Sequence, residues 1–515
     1  MADLIPVCWV ECTLGDIATV KNGFAFKSSE FSETGIPVIR ISDINGSLVS
    51  SAHAVKITER NKFNNFKVSK GDILIAMSGA TTGKFGVYQE SEPAYQNQRV
   101  GNIRPLSIEL NKSFLFYYIF NAKRHIEKDA YGGAQPNISS GKIEQLNFWL
   151  PPLNEQKRIV AKIEELFSEL DNGIAALKTA REQLKVYRQA VLKHAFEGKL
   201  TEQWRKDNAD KLETPEQLLA RIQQERETRY QQQLEKWKTA VKAWEANGKE
   251  GKKPGKPAKP KEIQAAVVAE FELPAKWAIS ELGLIAYESV LGKMLDKQKN
   301  LGEERPYLGN INVRWGRFEI DALKTMKIEE SEEARYSLFH GDLVICEGGE
   351  PGRCAVWSGE DNVIFIQKAL HRVRFTASYM PEFAYYFLVY SVPLERVVKH
   401  FTGTTIKHLT GAGLSKVQLP VCSAAEQQEI VSIIESKLSE IDALNSELNV
   451  QLNKAETLRQ SILKKAFSGQ LVPQDPSDEP ASELLARIQA EKAASDVKAK
   501  KAPAKRGRKA KEVSE

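Results

Sequence analysis

Apolar residues return every seventh position through Glu155–Gly198, where Ile163, Leu170, Leu177, Leu184 and Val191 form one row and Ile159, Leu166 and Tyr187 flank it. No proline interrupts the stretch, so the pattern predicts one long helix whose narrow apolar stripe only another helix can cover. The same row comes back 271 residues later as Ile434, Ile441, Leu448, Ala455 and Ile462, within Glu426–Gly469. At a rise of 1.5 Å per residue, about 44 residues make a rod of roughly 66 Å. The expectation is a pair of antiparallel rods holding two globular parts apart.

Outside the rods the pattern changes to short apolar runs broken by glycine. Ile36–Ile41 and Gly71-Asp72-Ile73-Leu74-Ile75 read as strands, and Ser113–Arg124 reads as a helix. Leu150-Pro151-Pro152-Leu153 closes this part, with Asn154 expected to cap the rod. The part then repeats. Trp9 and Leu14-Gly15 are matched by Trp277 and Leu282-Gly283, and Gly71-Asp72 by Gly341-Asp342. Gln98 is paired with Gln367, Tyr117-Tyr118 with Tyr385-Tyr386, and Leu150-Pro151 with Leu419-Pro420. Offsets of 268 to 271 throughout mean duplication.

The fold class expected is α+β: two similar globular domains separated by two long helices, with an internal pseudo-two-fold repeat. The boundaries read as a first domain (1–153), a long helix (154–200), a polar helical extension (201–247) and a Lys/Pro/Gly linker (248–262). A second domain (263–422), a second long helix (423–471), a helical extension (472–497) and a disordered basic tail (498–515) follow. Thr214-Pro215 with Gln217 marks the start of the first extension, and Ser423 with Glu426 forms a capping box before the second rod.

Charge is concentrated. Of the net +6, residues 248–261 carry +5 and 498–511 carry +8, which leaves −7 for the rest (6 less 5 less 8). Any nucleic-acid contact by the folded parts must therefore use local patches. The five cysteines make no C-x-x-C pair, and no apolar stretch reaches about 18 residues. Zinc, a disulfide scaffold, a signal peptide and a membrane span are not expected, and the chain reads as cytoplasmic. Gly79–Lys84 has three residues between its glycines where a P-loop has four, and Phe85 follows the lysine. No dinucleotide, hydrolase-elbow or zinc-protease signature occurs, nor a base-gripping N-P-P-F-like tetrapeptide. No catalytic residue and no metal ligand is assigned.

The polar loops carry the residue types that read base edges. In the first domain these are Arg40, Ser42 and Asn45; Thr81, Thr82 and Lys84; Gln96, Asn97, Gln98 and Arg99; and Gln135 with Asn137. In the second they are Asn310, Asn312 and Arg314; Glu350 and Arg353; Gln367 and Lys368; and Thr404, Thr405, Lys407 and His408.

Each half runs from W-x-x-x-x-L-G through G-D-[IL]-[LV]-I and a Gly-rich loop into a helix start, which the first half spells Pro151-Pro152-Leu153-Asn154-Glu155-Gln156-Lys157-Arg158-Ile159-Val160. This resembles the DNA specificity subunit of type I restriction-modification enzymes, over nearly all of residues 7–489. The second half departs from it at Pro420–Gln427, with two extra residues. The resemblance implies a non-catalytic chain whose two target-recognition domains each read half of a split site on double-stranded DNA, with the helices setting the gap. It also implies methyltransferase subunits, two of them, and motor-nuclease subunits as partners. S-adenosylmethionine and ATP with Mg²⁺ would be bound by those partners, and no cofactor by this chain. The alternatives are a DNA-modifying enzyme with an unrecognised site and a coiled-coil scaffold.

Overall fold

The computed structural model describes residues 5–130, 136–251, 253–263, 273–274, 276–296, 298 and 300–501, with the backbone alone for Arg124 and 495–501. It divides into two units, Met1–Lys178 with Asn449–Glu515, and Thr179–Leu448.

The first unit is built on a six-stranded sheet in the order Ala18–Asn22, Val100–Pro105, Ile73–Ala76, Phe85–Tyr88, Leu48–Val49, Ile44–Asn45. Ile73-Leu74-Ile75-Ala76 is apolar at every position because both faces of the strand are covered. Ile73 and Ile75 join the core shared with helix Lys112–Ala130, while Leu74 and Ala76 join a second cluster with Ile39, Tyr88 and Val100. A five-stranded sheet includes the parallel pair Ile36–Ile39 and Ala94–Gln96. Val10–Thr13 pairs with Asn147–Leu150 where the chain enters and leaves the domain.

The second unit repeats this frame. Its four-stranded sheet runs Ala286–Leu291, Leu370–Phe375, Leu343–Cys346, Cys354–Val356, the same order and sense as the first four strands above. Ile345 faces His371 as Ile75 faces Gly101, and Ala278–Glu281 pairs with Gln418–Val421. The duplication read from offsets is therefore a duplication of strand register. One pairing shifts by a residue: the bridges Phe24–Asn97 and Lys293–Gln367 make Asn97, not Gln98, the counterpart of Gln367.

The Gly-Asp turn explains the repeated G-D-[IL]-[LV]-I. Gly71 and Gly341 both have φ +85°, a conformation that suits glycine. Asp72 Oδ2 accepts from Ser69 N (3.1 Å), and Asp342 Oδ2 from Phe339 N (2.8 Å), closing each turn.

Leu153–Phe196 and Ala424–Phe467 are single helices of 44 residues each. In the first unit Asp171 pairs with Arg459, whose guanidinium also lies over Phe167, and Ile163 and Ile462 are buried together. In the second unit Arg188 bonds Asp442 at 2.8 Å, and Val191 packs in one cluster with Ile434 and Ile441. In both units early residues of one helix meet late residues of the other, the antiparallel sense. Of the remaining heptad positions Ala455 is buried, and Leu170, Leu177, Leu184 and Leu448 are half-buried.

The Glu-Gln pair opening each rod anchors it. Gln156 donates to Pro151 O (2.9 Å) and accepts from Asn111 N (3.2 Å); Gln427 donates to Cys422 O and accepts from Met380 N, both at 2.9 Å. Buried Glu155 accepts from Trp9 Nε1 (3.0 Å) and Gln474 Nε2 (2.7 Å), whereas buried Glu426 takes Thr201 Oγ1 (2.8 Å) and pairs with Arg205. Two expectations are corrected here. Asn154 is not the cap: the helix begins one residue earlier at Leu153, where Gln156 N bonds Pro152 O and the Gln156 side chain holds Pro151 O, so Asn154 lies exposed within the helix. Ser423 makes only half a capping box, since its Oγ accepts from Glu426 N (3.2 Å) while the Glu426 carboxylate is turned to Thr201 and Arg205.

The first extension is helix Pro215–Ala246, with the Thr214–Gln217 box formed. The second is helix Ala481–Lys501, which carries four residues of the expected tail; the disorder assigned to the rest of the tail falls on residues outside the described ones. No described helix is long and apolar enough to cross a membrane.

Candidate nucleic-acid interface

In the first unit four loops distant in sequence are tied together by backbone bonds at one end of the sheets. Asn97 N bonds Ile39 O (3.0 Å), Met77 N bonds Arg99 O (2.9 Å), Gly79 N bonds Pro136 O (3.0 Å) and Ile138 N bonds Met77 O (2.9 Å). Gly79 and Gly83, with φ near +85°, turn the chain between two antiparallel strands. A phosphate cradle needs a strand leading into a helix, so this loop lacks that context.

The side chains assigned to reading divide into two groups. Thr82, Gln96 and Asn97 are buried. Thr82 Oγ1 donates to Gly79 O (2.6 Å), Gln96 Nε2 bonds Lys21 O (2.6 Å) and Val100 O (2.7 Å), and Asn97 Oδ1 accepts from Arg99 N (3.3 Å). They hold the loops. Ser42, Lys84, Gln98, Arg99 and Asn137 are exposed on those loops, with Arg40 and Thr81 half-buried among them. Asn45 is exposed on the hairpin at the sheet's outer edge. Gln135 lies outside the described residues.

The second unit gathers its loops the same way. Glu347 N bonds Ala369 O (2.8 Å), Leu409 N bonds Glu347 O (2.7 Å), Gln367 N bonds Leu308 O (3.0 Å) and Lys368 N bonds Lys293 O (2.8 Å). Gly23 and Gly292 mark the same crossing in the two copies. A Cβ on either would stand about 2.2–2.4 Å from the backbone of Gln96 or Gln367, so neither position accepts a side chain without displacing the main chain.

Here many of the predicted readers are bonded within the protein. Arg314 holds Glu319 with two bonds (3.0 and 2.9 Å). Asn312 bridges Gly309 N and Glu319 O, Asn310 Nδ2 donates to Gly348 O (2.6 Å), and Arg353 reaches Glu350 (2.8 Å) and Asn310 O (2.9 Å). Gln367 is half-buried and Lys368 exposed. The open side chains sit on the loop closed by reciprocal 2.8 Å bonds between Thr402 and His408, where Thr404, Thr405, Lys407 and His408 are all exposed. Behind it, buried His371 shares a 2.9 Å hydrogen bond between Nε2 and Leu409 O, and burial holds its pKa below the ordinary value.

Two residues on these loops escaped a search by polar type. Ile311 is 69% exposed and Ile406 65% exposed, each flanked by polar neighbours. An apolar residue inside a polar loop was the available signal, and such a residue suits a thymine methyl group. Ser78 Oγ, Thr81 Oγ1 and Asn310 Oδ1 are buried on these loops without a hydrogen-bond partner in the structure. Among the described residues no cluster of His, Cys, Asp and Glu is arranged to hold a metal.

Two segments, 6–179 and 276–454, match the family model of the type I restriction modification DNA specificity domain. The chain belongs to this family. As a type I specificity subunit it is a recognition chain and not the catalyst of its system. The subunit is 26% identical to the specificity subunit of the type I restriction enzyme EcoBI from Escherichia coli, over 95% of this chain and 93% of that one. It is 24% identical to the EcoKI specificity subunit of Escherichia coli strain K12, over 96% and 97%. Its fold is that of the HsdS subunit from Thermoanaerobacter tengcongensis (TM-score 0.50, 17% identity, 91% and 98% covered). A chain from a study of complex assembly and conformational transition in a type I R-M system is similar too (TM-score 0.60, 18% identity, 91% and 99% covered).

Proposed function

We propose that each loop cluster of this specificity subunit reads one half of a bipartite site on double-stranded DNA, and that the paired long helices fix the number of base pairs left unread between the halves. The observation that carries this reading is one loop cluster built twice, on two copies of one strand frame, with both 44-residue helices shared between the units. The first half-site is read by Arg40, Ser42, Thr81, Lys84, Gln98, Arg99 and Asn137. The second is read by Lys368, Thr404, Thr405, Lys407 and His408, with Ile311 and Ile406 as apolar contacts. The inward-bonded residues position these. The orphaned Ser78, Thr81 and Asn310 atoms support a polar ligand at these loops.

Methylation and cleavage belong to partner subunits: two methyltransferase subunits carrying S-adenosylmethionine, and motor-nuclease subunits using ATP and Mg²⁺. The complex acts on DNA in the cytoplasm. Inserting one heptad at matched positions in both long helices tests the reading. Seven residues add about 10 Å, or roughly three base pairs at 3.4 Å per step. Sequencing of methylated sites should show the same half-sites about three base pairs further apart. Changed half-sites at constant spacing would refute the proposal.

A further inference from the structure

The Lys/Pro stretch after helix Pro215–Ala246 has a place in the structure that its composition conceals. The chain turns at Gly248 and Gly251 (φ +73° and +77°) and returns along the helix it has just left. Trp244 Nε1 donates to Gly251 O (3.2 Å), Trp237 Nε1 donates to Pro254 O (3.0 Å), and Arg226 donates to Lys261 O (3.1 Å). These three bonds run in opposite order along helix and strap. Lys253 and Lys256 lie over the rings of Trp244 and Trp237, at 5.8 and 5.9 Å from the centroids.

The buried residues of this helix end at Arg226, so both tryptophans, half-buried beyond it, serve to hold the strap. Prolines at 254, 257 and 260 favour the extended left-handed form, which has three residues per turn and a rise of about 3.1 Å. Lys253, Lys256 and Lys259 then recur on one side at intervals of about 9 Å. All three are exposed. Residues 236–261 hold nine lysines against two glutamates, a net +7 in a chain whose total is +6. Residues 227–246 make a helical support about 30 Å long.

We propose that this strapped helix is a pre-organised arm that binds the phosphate backbone of duplex DNA without reading its sequence. The inference rests on the DNA-reading function above and adds a second, non-specific contact. A row of lysines spaced along one side suits phosphates, and the absence of exposed large apolar residues among the described positions of the arm gives nothing to insert into a bilayer. The tryptophans lower the ordering cost, since the lysines are already in a row before DNA arrives.

The test uses the full chain and fluorescently labelled 30-base-pair duplexes, one of random sequence and one carrying the target found by methylation mapping, titrated between 50 and 200 mM KCl. Replacing Lys253, Lys256, Lys259 and Lys261 by Gln should reduce the slope of log affinity against log salt by about 3–4, at 0.9 per phosphate no longer neutralised. Affinity should fall at least tenfold on both duplexes, with their ratio unchanged. W237A/W244A keeps the charges and frees the strap, so affinity should drop severalfold at an unchanged slope. An unaltered slope in the lysine variant overturns the proposal, and lost assembly with the methyltransferase subunits in that case would identify the arm as a protein-docking surface. A chain that prefers no sequence yet shows the lysine-dependent slope would defeat base reading and leave the arm standing.

Discussion

Asp72 and Asp342 occupy the same turn of the same frame, and their surroundings differ in charge. Asp72 accepts from Asn102 Nδ2 (2.8 Å) and Arg104 (3.2 Å). Asp342 is bonded twice by Arg374 (2.6 and 3.0 Å), and fully buried Arg372 stands 3.9 Å away where the first copy has Asn102. The extra cation is matched by an extra anion. Glu288 reaches both Arg372 (2.8 Å) and Arg374 (3.0 Å), and it faces Arg374 across the strands as Thr19 faces Arg104 in the first copy. Buried charge is tolerated in compensated sets, so the two copies exchanged Asn/Thr for Arg/Glu together. Burial still pushes the Asp342 carboxyl up, against the pull of Arg374. The backbone frame thus persists while side-chain solutions diverge, in the interior as at the loops.

The largest expected effect follows from that difference. Asp342→Ala leaves Glu288 as the one carboxylate balancing two buried guanidiniums and should cost the second unit about 3–5 kcal/mol. Asp72→Ala removes one half-exposed ion pair and one amide bond and should cost the first unit about 1–3 kcal/mol. Denaturant unfolding followed by hydrogen exchange in each unit measures both, and equal losses would show that the two networks are energetically alike.

A smaller effect separates the loops. Lys84→Ala with Arg99→Ala should relax sequence preference in the first half-site only, by about 1–3 kcal/mol for each base-edge hydrogen-bonding pair removed. Thr405→Ala with Lys407→Ala should do the same in the second. Selection from a random duplex library reads both, and a variant that blurs both half-sites would break the division of labour.

The smallest concerns His371, which stands where the first copy has Gly101. Its folded pKa is lowered by burial, so the unfolded chain takes the proton first as pH falls through about 6.5. The stability it contributes is present above that pH and is lost below it. Thermal melts at pH 7.5 and 5.5 should show a smaller loss for His371→Asn than for the unaltered chain. The same pH dependence in both would mean that other groups set it.

Much of this architecture could be read from the chain alone. The heptads, the repeated Gly-Asp turn and the Glu-Gln pair are local patterns with local causes, and their spacing exposed the duplication. The reading loops were found by residue type, but type does not tell a reader from a brace. Gln96, Thr82 and Asn97 looked like base contacts and are buried supports, because the fold brings distant carbonyls, Lys21 O to Gln96 and Pro136 O to Thr82, while Asn97 turns back to Arg99 N. Ile311 and Ile406 were passed over because exposure, not polarity, distinguishes them. The lysine strap read as a loose linker, since nothing in its composition says that two tryptophans up to 19 residues earlier would hold it.

What was written into the one-dimensional pattern is periodicity: which segments are rods, which are strands, and that the set occurs twice. Those features depend on neighbours three, four or seven residues away, or on the alternation within a strand. Which polar groups face inward, which carboxylate needs a second cation and where the basic strap lies were settled when distant segments packed together. Burial and hydrogen-bond satisfaction depend on the surroundings a side chain acquires in the fold, and residue type alone does not specify them.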